Sequence, residues 1–355
     1  MRVLTVNTGS SSAKLRVLDP SDDTVAAVDT APAEVEERAA QLLRDVPVDA
    51  VGHRIVHGGP RYAAPARVDD ALLADLRALT PLAPLHQPVA LDVVEAVRRA
   101  RPDLPAVACF DTAFHADLPV EARTYALPRA WRERHGLRRY GFHGLSYAWA
   151  SRRARELLGR DDLRLVVAHL GSGASLAAIR GTRAVDTTMG FTPLDGIVMA
   201  TRAGAVDPGL LLWLVAHGGL GAAEVRDGLD SDSGLLGLAG SKDMREVLER
   251  EASGDPDSCL AMQVYLHRLA AGVASMTASL GGLDALVFTG GVGEHAPEVR
   301  RRAVDRLGFL GLALDPVRNA GAVGDADLSA DGAVARTLVL TAREDVEIAR
   351  GVRAA

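Results

Sequence analysis

Three arginines stand beside turns rather than on the polar faces of helices. Arg54 ends a strand in GHRIVHGG, Arg202 lies in Thr-Arg-Ala-Gly, and Arg245 follows Asp243-Met244 at a helix start. A guanidinium presents its donors in a planar fork that matches a carboxylate or a phosphate. The alternative for Arg54 and Arg202 is a buried ion pair, and for Arg245 a solvated helix residue. Two acids accompany them. Asp111, in CFDTAFH, directly follows an apolar run, and Glu344 lies in AREDVEIA. From the end of a buried strand, Asp111 either reaches a cleft or caps the turn that follows. Asn7 is an uncharged oxygen donor at another strand end. With Glu344 it suits Mg²⁺, which keeps several waters and takes few protein ligands. His143 in RRYGFHG and His86 in PLHQP are either hydrogen-bonded structural groups or partners of the reacting centre. His53 and His57 stand too far apart on one strand face to share a zinc ion.

Two Gly/Ser-rich turns punctuate the chain in parallel fashion. Leu165–Ala178, LVVAHLGSGASLAA, reads strand, turn, strand, with His169, Gly171, Ser172, Gly173 and Ser175 around the tip. Val3–Val17, VLTVNTGSSSAKLRV, repeats the plan with Asn7 and Gly9–Ser12. Such a turn is either a phosphate cradle of backbone N–H groups or a plain Gly-rich hairpin. Its recurrence near the start of each half points to internal duplication. The chain holds 40 basic residues, of which only Lys14 and Lys242 are lysine. Both lie in Gly/Ser-rich turns, where a flexible ammonium suits a phosphate.

The 355 residues fit one very large domain or two ordinary ones, and 48% apolar residues are ample for cores. A net charge of −6 gives no general attraction to nucleic acid or anionic membrane. Two cysteines make no disulfide framework. With no signal-peptide pattern and no membrane-length apolar run, the expectation is a cytoplasmic protein. Helices are expected over 33–44, 69–78, 88–101, 145–158, 208–215, 242–251, 258–280, from Pro297 onward, and over 344–352. Single strands are expected over 50–56, 106–110, 285–288 and 337–340. Residues 289–295, TGGVGEH, read as a Gly loop leading to a helix N-terminus, where an anion or a sugar edge docks. Neither GxGxxG nor GxxxxGK[ST] is present. The pattern predicts a two-domain α/β protein.

The ordered motifs VNTGSSSAK, GHRIVHGG, PLAPLHQP, FDTAFH, RRYGFHG, AHLGSGAS, VDTTMGFTPLDGIVMATRAGAVDPG, SGLLGLAGSKDMR and FTGGVGEHAPEVR together resemble the acetate kinase family. That family is the short-chain carboxylate kinase branch of the actin-like superfold. The resemblance runs from residue 1 to about residue 350. It implies a duplicated, ribonuclease H-like two-domain α/β fold with the active site in the interdomain cleft, and a homodimer. Its domains would be 1–147 plus 344–355, the acyl and metal side, and 148–343, the nucleotide side. It implies catalytic roles for Arg54, Asp111, His143 and Arg202. The acyl group would meet Arg54, Val56, Leu85, His86, Phe142 and Pro193. ATP would meet Ser10, Ser12, Lys14, His169, Leu170, Gly171, Ser172, Gly173, Asp243, Met244, Arg245, Gly291, Val292, Gly293, Glu294 and His295. Asn7 and Glu344 would be the Mg²⁺-associated positions, with Mn²⁺ able to substitute. The implied reaction is reversible phosphoryl transfer between ATP and acetate, giving ADP and acetyl phosphate. Asp111 is expected to orient Arg54 or a metal-bound water rather than to take a proton.

Several positions depart from the family pattern. Ser172 replaces an Asn, TRAGAV replaces a more polar turn, and Gln87 stands in PLHQP where Asn is usual. TAREDVE leaves Glu344 or Asp345 as the metal-side acid, and residues 19–51 are shorter than usual. The competing readings are a kinase preferring propionate or butyrate, and an actin-type ATP-driven conformational protein.

Overall fold

A computed structural model describes residues 1–9, 12–84 and 86–355. Ser10 and Leu85, two of the expected contact residues, lie outside the described residues. The chain divides into two compact units, 1–117 with 140–149 and 343–355, and 118–139 with 150–342. Residues 118–139 therefore group with the second unit, whereas the sequence reading placed them with the first.

The first unit is built on a six-stranded sheet in the order β3-β2-β1-β4-β6-β5. The strands are β1 (Val3–Thr8), β2 (Ala13–Leu18), β3 (Thr24–Thr30), β4 (Ala50–Ile55), β5 (Ala66–Arg67) and β6 (Ala106–Phe110). β1, β2 and β3 form an antiparallel meander. β1, β4 and β6 are parallel, and β5 closes the edge antiparallel to β6. Strands β1 and β4 are buried along almost their whole length because both faces of the sheet are covered. Val3, Leu18, Ala50, Val107 and Cys109 pack under the C-terminal helix through Val346, Ile348, Ala349 and Val352. On the other face Leu4, Val6, Leu15 and Val51 meet the helices Val35–Asp45 and Gln87–Ala100.

The second unit repeats this order strand for strand as β11-β12-β10-β7-β8-β9. Here β7 is Arg164–Leu170, β8 Ala174–Arg180, β9 Arg183–Thr187, β10 Ala285–Thr289, β11 Ala326–Asp327 and β12 Arg336–Val339. Again three strands form a meander, two follow in parallel, and a two-residue strand closes the edge antiparallel. The long helix Pro256–Leu280 lies on β8, with Gly272 set against Leu176. The paired hairpins thus belong to two copies of one topology.

Strands β3 and β9 and the two short edge strands were not legible in the sequence. β3 is an edge strand in which no residue is fully buried, so its Ala-rich sequence carries little strand signal. The helices Ala222–Ser231 and Gly234–Ala239 also went unread, being Gly-interrupted. Residues Gly290–His295, expected as an open loop, coil into a short helix.

Candidate active site

Three neighbouring parallel strands deliver their chemistry at their carboxyl ends, where α/β sheets place ligands. Asn7 is next to last on β1, Arg54 next to last on β4, and Asp111 the first residue after β6. The Arg54 guanidinium donates from Nε to Asp111 Oδ1 and Oδ2 at 3.1 and 3.2 Å, and from Nη2 to Oδ2 at 2.6 Å. Its Nη1 donates to Asn7 Oδ1 at 3.2 Å, and Asn7 Nδ2 donates to Glu344 Oε2 at 2.5 Å. The result is a hydrogen-bonded chain from Asp111 through Arg54 and Asn7 to Glu344.

Asp111 is fully buried and only 12% of the Arg54 side chain is exposed. Burial pushes the Asp111 carboxyl above the ordinary carboxylate value, and Glu344 adds to the push. The Arg54 guanidinium and the His143 backbone N–H pull it back. Burial also works against the Arg54 charge, but Asp111 and Glu344 outweigh it and hold Arg54 above its ordinary value. Because arginine keeps its proton in proteins, the two-armed contact is an ion pair.

The last two sequence candidates at the C-terminal helix are separated by their partners. Asp345 is bound by both Nε and Nη2 of Arg343, which also donates to the Asp22 carbonyl. Glu344 is the acid that meets Asn7. Lys14 lies directly opposite Asn7 in the β1–β2 register, on the same face, with its side chain exposed.

His143 adopts a left-handed backbone, φ 57°, just before the helix Gly144–Leu158. Such a conformation is costly for a residue with a Cβ and persists only where its surroundings enforce it. The enforcing contact is visible next door. A Cβ on Gly144 would lie 2.0 Å from the Asp111 carbonyl oxygen, so only glycine lets the helix start press against the Asp111 turn. Phe142, the preceding residue, is buried, and so is Val56.

His57 supports this apolar wall. Its ring meets Phe142 edge-on at 5.5 Å and Tyr140 at 4.5 Å. Its Nδ1 accepts from the Gly59 N–H at 2.8 Å, and burial lowers its pKa to about 4, so the ring is neutral with its proton on Nε2. Gln87 brackets the His57 peptide. Its Oε1 accepts from His57 N–H, and its Nε2 donates to the carbonyls of His57 and Leu76. His86 immediately precedes this residue at the N-cap of Gln87–Ala100.

In the second unit Arg202 is buried, its Nε ion-paired with Asp230 Oδ1 at 3.1 Å and its Nη1 donating to the Pro193 carbonyl at 3.2 Å. His169 stands opposite Thr289 in the parallel β7–β10 register. The Gly171 N–H donates to the Gly173 carbonyl, and Ser172 accepts from Ala200 N–H through its own carbonyl. Gly290, at φ 78°, lies so close to Leu170 that a Cβ would come within 2.8 Å of its carbonyl oxygen. Glu294 Oε1 accepts from the Gly290 and Ala342 N–H groups, tying the Gly291–His295 segment through this one side chain to its own start and to the residues after β12. Asp243 caps Met244–Ala252 and is paired two-armed with Arg245, which together with the Arg245 N–H holds the carboxyl at about 2. The structure thus unites Asn7, Arg54, Asp111 and Glu344, and separately places Arg202 with Pro193. Asp243 and Arg245 are mainly engaged with each other.

Sequence reasoning missed Arg300, whose side chain is fully buried. It donates to the carbonyls of Gly293, Glu294 and Asn319 and to Asn319 Oδ1. It lies inside Arg-Arg-Arg and resembles a solvated run. The signal was helical spacing, since Val299, Ala303 and Val304 share its buried face. Asp230 was also missed, and nothing local in the sequence marks it; Gln87 was noted only as a departure from the family pattern, not for its bonds to His57 and Leu76.

No group of three or more His, Cys, Asp or Glu side chains able to hold a metal occurs among the described residues. In this structure the Asn7 amide turns its NH₂ to Glu344 and its oxygen to Arg54, and one carboxylate with one amide is the sparse kind of donor pair that suits Mg²⁺ carried on phosphates. No helix among the described residues is long and apolar enough to cross a membrane.

A model described as the acetokinase family matches residues 22–350. The acetate kinase of Deinococcus deserti is 47% identical over 311 residues, 86% of this chain and 78% of its own. That of Leifsonia xyli subsp. xyli is 49% identical over 87% of this chain and 78% of its own. Among solved structures, Porphyromonas gingivalis acetate kinase aligns with a TM-score of 0.90 at 35% identity, over 99% of both chains. A propionate kinase from Francisella tularensis aligns with a TM-score of 0.92 at 32% identity, over 99% of this chain and 98% of its own.

Proposed function

This chain belongs to the acetokinase family, and on that premise we propose that it transfers the γ-phosphoryl group of ATP reversibly to acetate, forming acetyl phosphate and ADP. The observation that carries the reading is the Arg54 cluster: a cation locked by a buried carboxylate and an amide at the ends of three parallel strands. Acetate is ionised at neutral pH, so no base is needed to activate it. The difficulty is electrostatic, because an anion must approach an anionic phosphate while charge spreads over the equatorial oxygens. Arg54 and Arg202 are assigned to the carboxylate and the transferring group, and His143 to the same charge. Asp111 holds Arg54 in place, and Val56, Phe142 and Pro193 enclose the acyl methyl.

The first unit supplies the acyl and metal side, and the second supplies nucleotide contacts from His169–Gly173, Asp243–Arg245 and Gly291–His295. Ser12 and Lys14 add phosphate contacts from the first hairpin. Asn7 and Glu344 would hold the divalent ion, Mg²⁺ with Mn²⁺ as substitute. Bound there, it would screen charge on the phosphates. The Gly171–Gly173 turn and the fastened Gly291–His295 segment provide backbone N–H groups in fixed positions. Both cysteines are free, in keeping with a reducing cytoplasm.

We also infer a homodimer. The helix Pro208–Ala216 has no buried residue, and Leu210, Leu212, Trp213 and Val215 are exposed on it, with Leu212 at 72%. An apolar helix of this kind marks an interface.

Propionate is the second acceptor to consider, given the likeness to the Francisella tularensis structure. The test is ATP-dependent transfer to acetate, propionate and butyrate, trapped as the acyl hydroxamate. Acetate-dependent product supports the reading. ATP turnover that ignores all three acids removes it.

A further inference from the structure

We propose that Asp230 is the positioning residue of Arg202, fixing the direction of its guanidinium and setting the net charge that the incoming anions meet. The inference rests on the role given above to Arg202 and adds a residue to that site.

Asp230 lies in the last turn of the helix Ala222–Ser231, with its side chain 20% exposed and that of Arg202 10% exposed. Its Oδ1 is 3.1 Å from Arg202 Nε. That acid is badly placed for its own helix, because the carboxyl end carries partial negative charge and favours cations. The last turn holds no basic residue. The local penalty is accepted where the carboxylate serves a partner elsewhere.

The pairing is also built into the backbone. The segment 199–203 is zipped to 229–236 by a series of hydrogen bonds. Ala203 N–H donates to the Leu229 carbonyl, Thr201 Oγ1 to the Asp230 carbonyl, and Ser233 N–H to the Thr201 carbonyl. Leu235 and Leu236 N–H groups donate to the carbonyls of Met199 and Ala200. Gly234 sits so close that a Cβ would come within 2.2 Å of the Met199 carbonyl oxygen. The helix end and the arginine turn therefore form one rigid piece, and Asp230 reaches Arg202 from a fixed base. Nη1 is held independently by the Pro193 carbonyl, which ties the same guanidinium to the proposed acyl wall. The arrangement parallels Arg54 with Asp111: each unit holds its arginine with a carboxylate of its own.

A paired guanidinium is well aimed but partly neutralised. Aim and charge can be separated by substitution. Asp230→Asn keeps an oxygen acceptor for Nε and removes the negative charge, whereas Asp230→Ala removes both. The experiment measures kcat and the KM values for acetate and ATP, at two salt concentrations, with melting curves of each variant. For Asp230→Asn the expected result is kcat within about threefold of the parent, with a KM for acetate lowered several-fold and more sensitive to salt. For Asp230→Ala, kcat should fall by about tenfold or more while the KM for ATP stays within about twofold. Wild-type kcat and acetate KM in both variants would overturn the proposal. So would equal losses in the two variants that move the ATP KM as much as the acetate KM, the mark of a merely structural residue. Should Asp230→Ala fail to fold, the acetate KM and salt response of Asp230→Asn decide alone. The parent enzyme separates this inference from its premise. Parent transfer to acetate with unaffected variants removes only Asp230, and absent parent transfer removes the premise and the inference with it.

Discussion

Replacing Asp111 by Asn changes one heavy atom in a buried site built on two-armed contacts to Arg54. The carboxylate accepts from Arg54 Nε and Nη2, the shorter contact being 2.6 Å. An Asn side chain offers one acceptor oxygen and turns its NH₂ toward a guanidinium N–H, so one arm is lost and the other ceases to be charge-assisted. Losing a hydrogen bond to a charged group costs about 1.5–3 kcal/mol. Breaking a buried ion pair outright costs about 3–5 kcal/mol. The remaining amide and the nearby Glu344 put this case between them, at roughly 2–4 kcal/mol. If that loss falls on the placement of Arg54 in the transition state, it corresponds to about 30- to 1000-fold in kcat at 1.36 kcal/mol per decade. The assay is steady-state hydroxamate formation with Asp111→Asn, Arg54→Ala and the double variant. Because Asp111 acts through Arg54, the double variant should lose no more than Arg54→Ala alone. The KM for ATP should stay within about threefold. Additive losses, or near-normal kcat in a stably folded Asp111→Asn protein, would refute the reasoning.

If Val56 and Phe142 line the acyl pocket as proposed, acyl size should follow them. Acetate and propionate are expected to serve as acceptors and butyrate to serve poorly, since each methylene refused is worth ~1–3 kcal/mol. Val56→Ala should shift preference toward longer acids, and equal kcat/KM for butyrate and acetate in the parent would remove this wall from the pocket. His53, buried on β4 with its pKa lowered to about 4 by burial, makes stability pH-dependent. Its contribution is fully present above pH 6.5, where the unfolded chain is also neutral. It is lost as pH falls from 6.5 toward about 4, by an amount on the order of 3 kcal/mol. Because His57 is shifted in the same way, His53→Leu should remove about half of that slope, and an unchanged slope would assign the proton elsewhere. Trp213→Glu, on the exposed apolar helix, should convert a dimer to monomers in sedimentation, and an unchanged mass distribution would remove that helix from the interface.

Much of this site could be read in the chain because its parts are local. An apolar stretch ending in a polar residue announces a buried strand with chemistry at its tip, as at Asn7 and Asp111, while Arg54 was marked by the Gly-Gly turn that follows its strand. The repeated hairpins also foretold a duplication that the two matching strand orders display in full. Local pattern alone, however, cannot choose between neighbours of one type. Glu344 and Asp345 are adjacent acids, and only the fold shows Arg343 engaging Asp345 while Glu344 meets Asn7, 337 positions away in the chain. Arg300 and Arg301 are adjacent arginines, and helical phase sends the first inside, against carbonyls, and the second to Glu298 and Asp305 on the surface. Asp230 looks like one more acid in an acidic helix end until the 199–203 turn is laid against it. Periodicity and turn chemistry are encoded within a few residues, so the sequence determined the buried central strands, the turns and most of the candidate groups. Which charge meets which depends on contacts between distant segments, and those exist only once the sheets have closed under their helices.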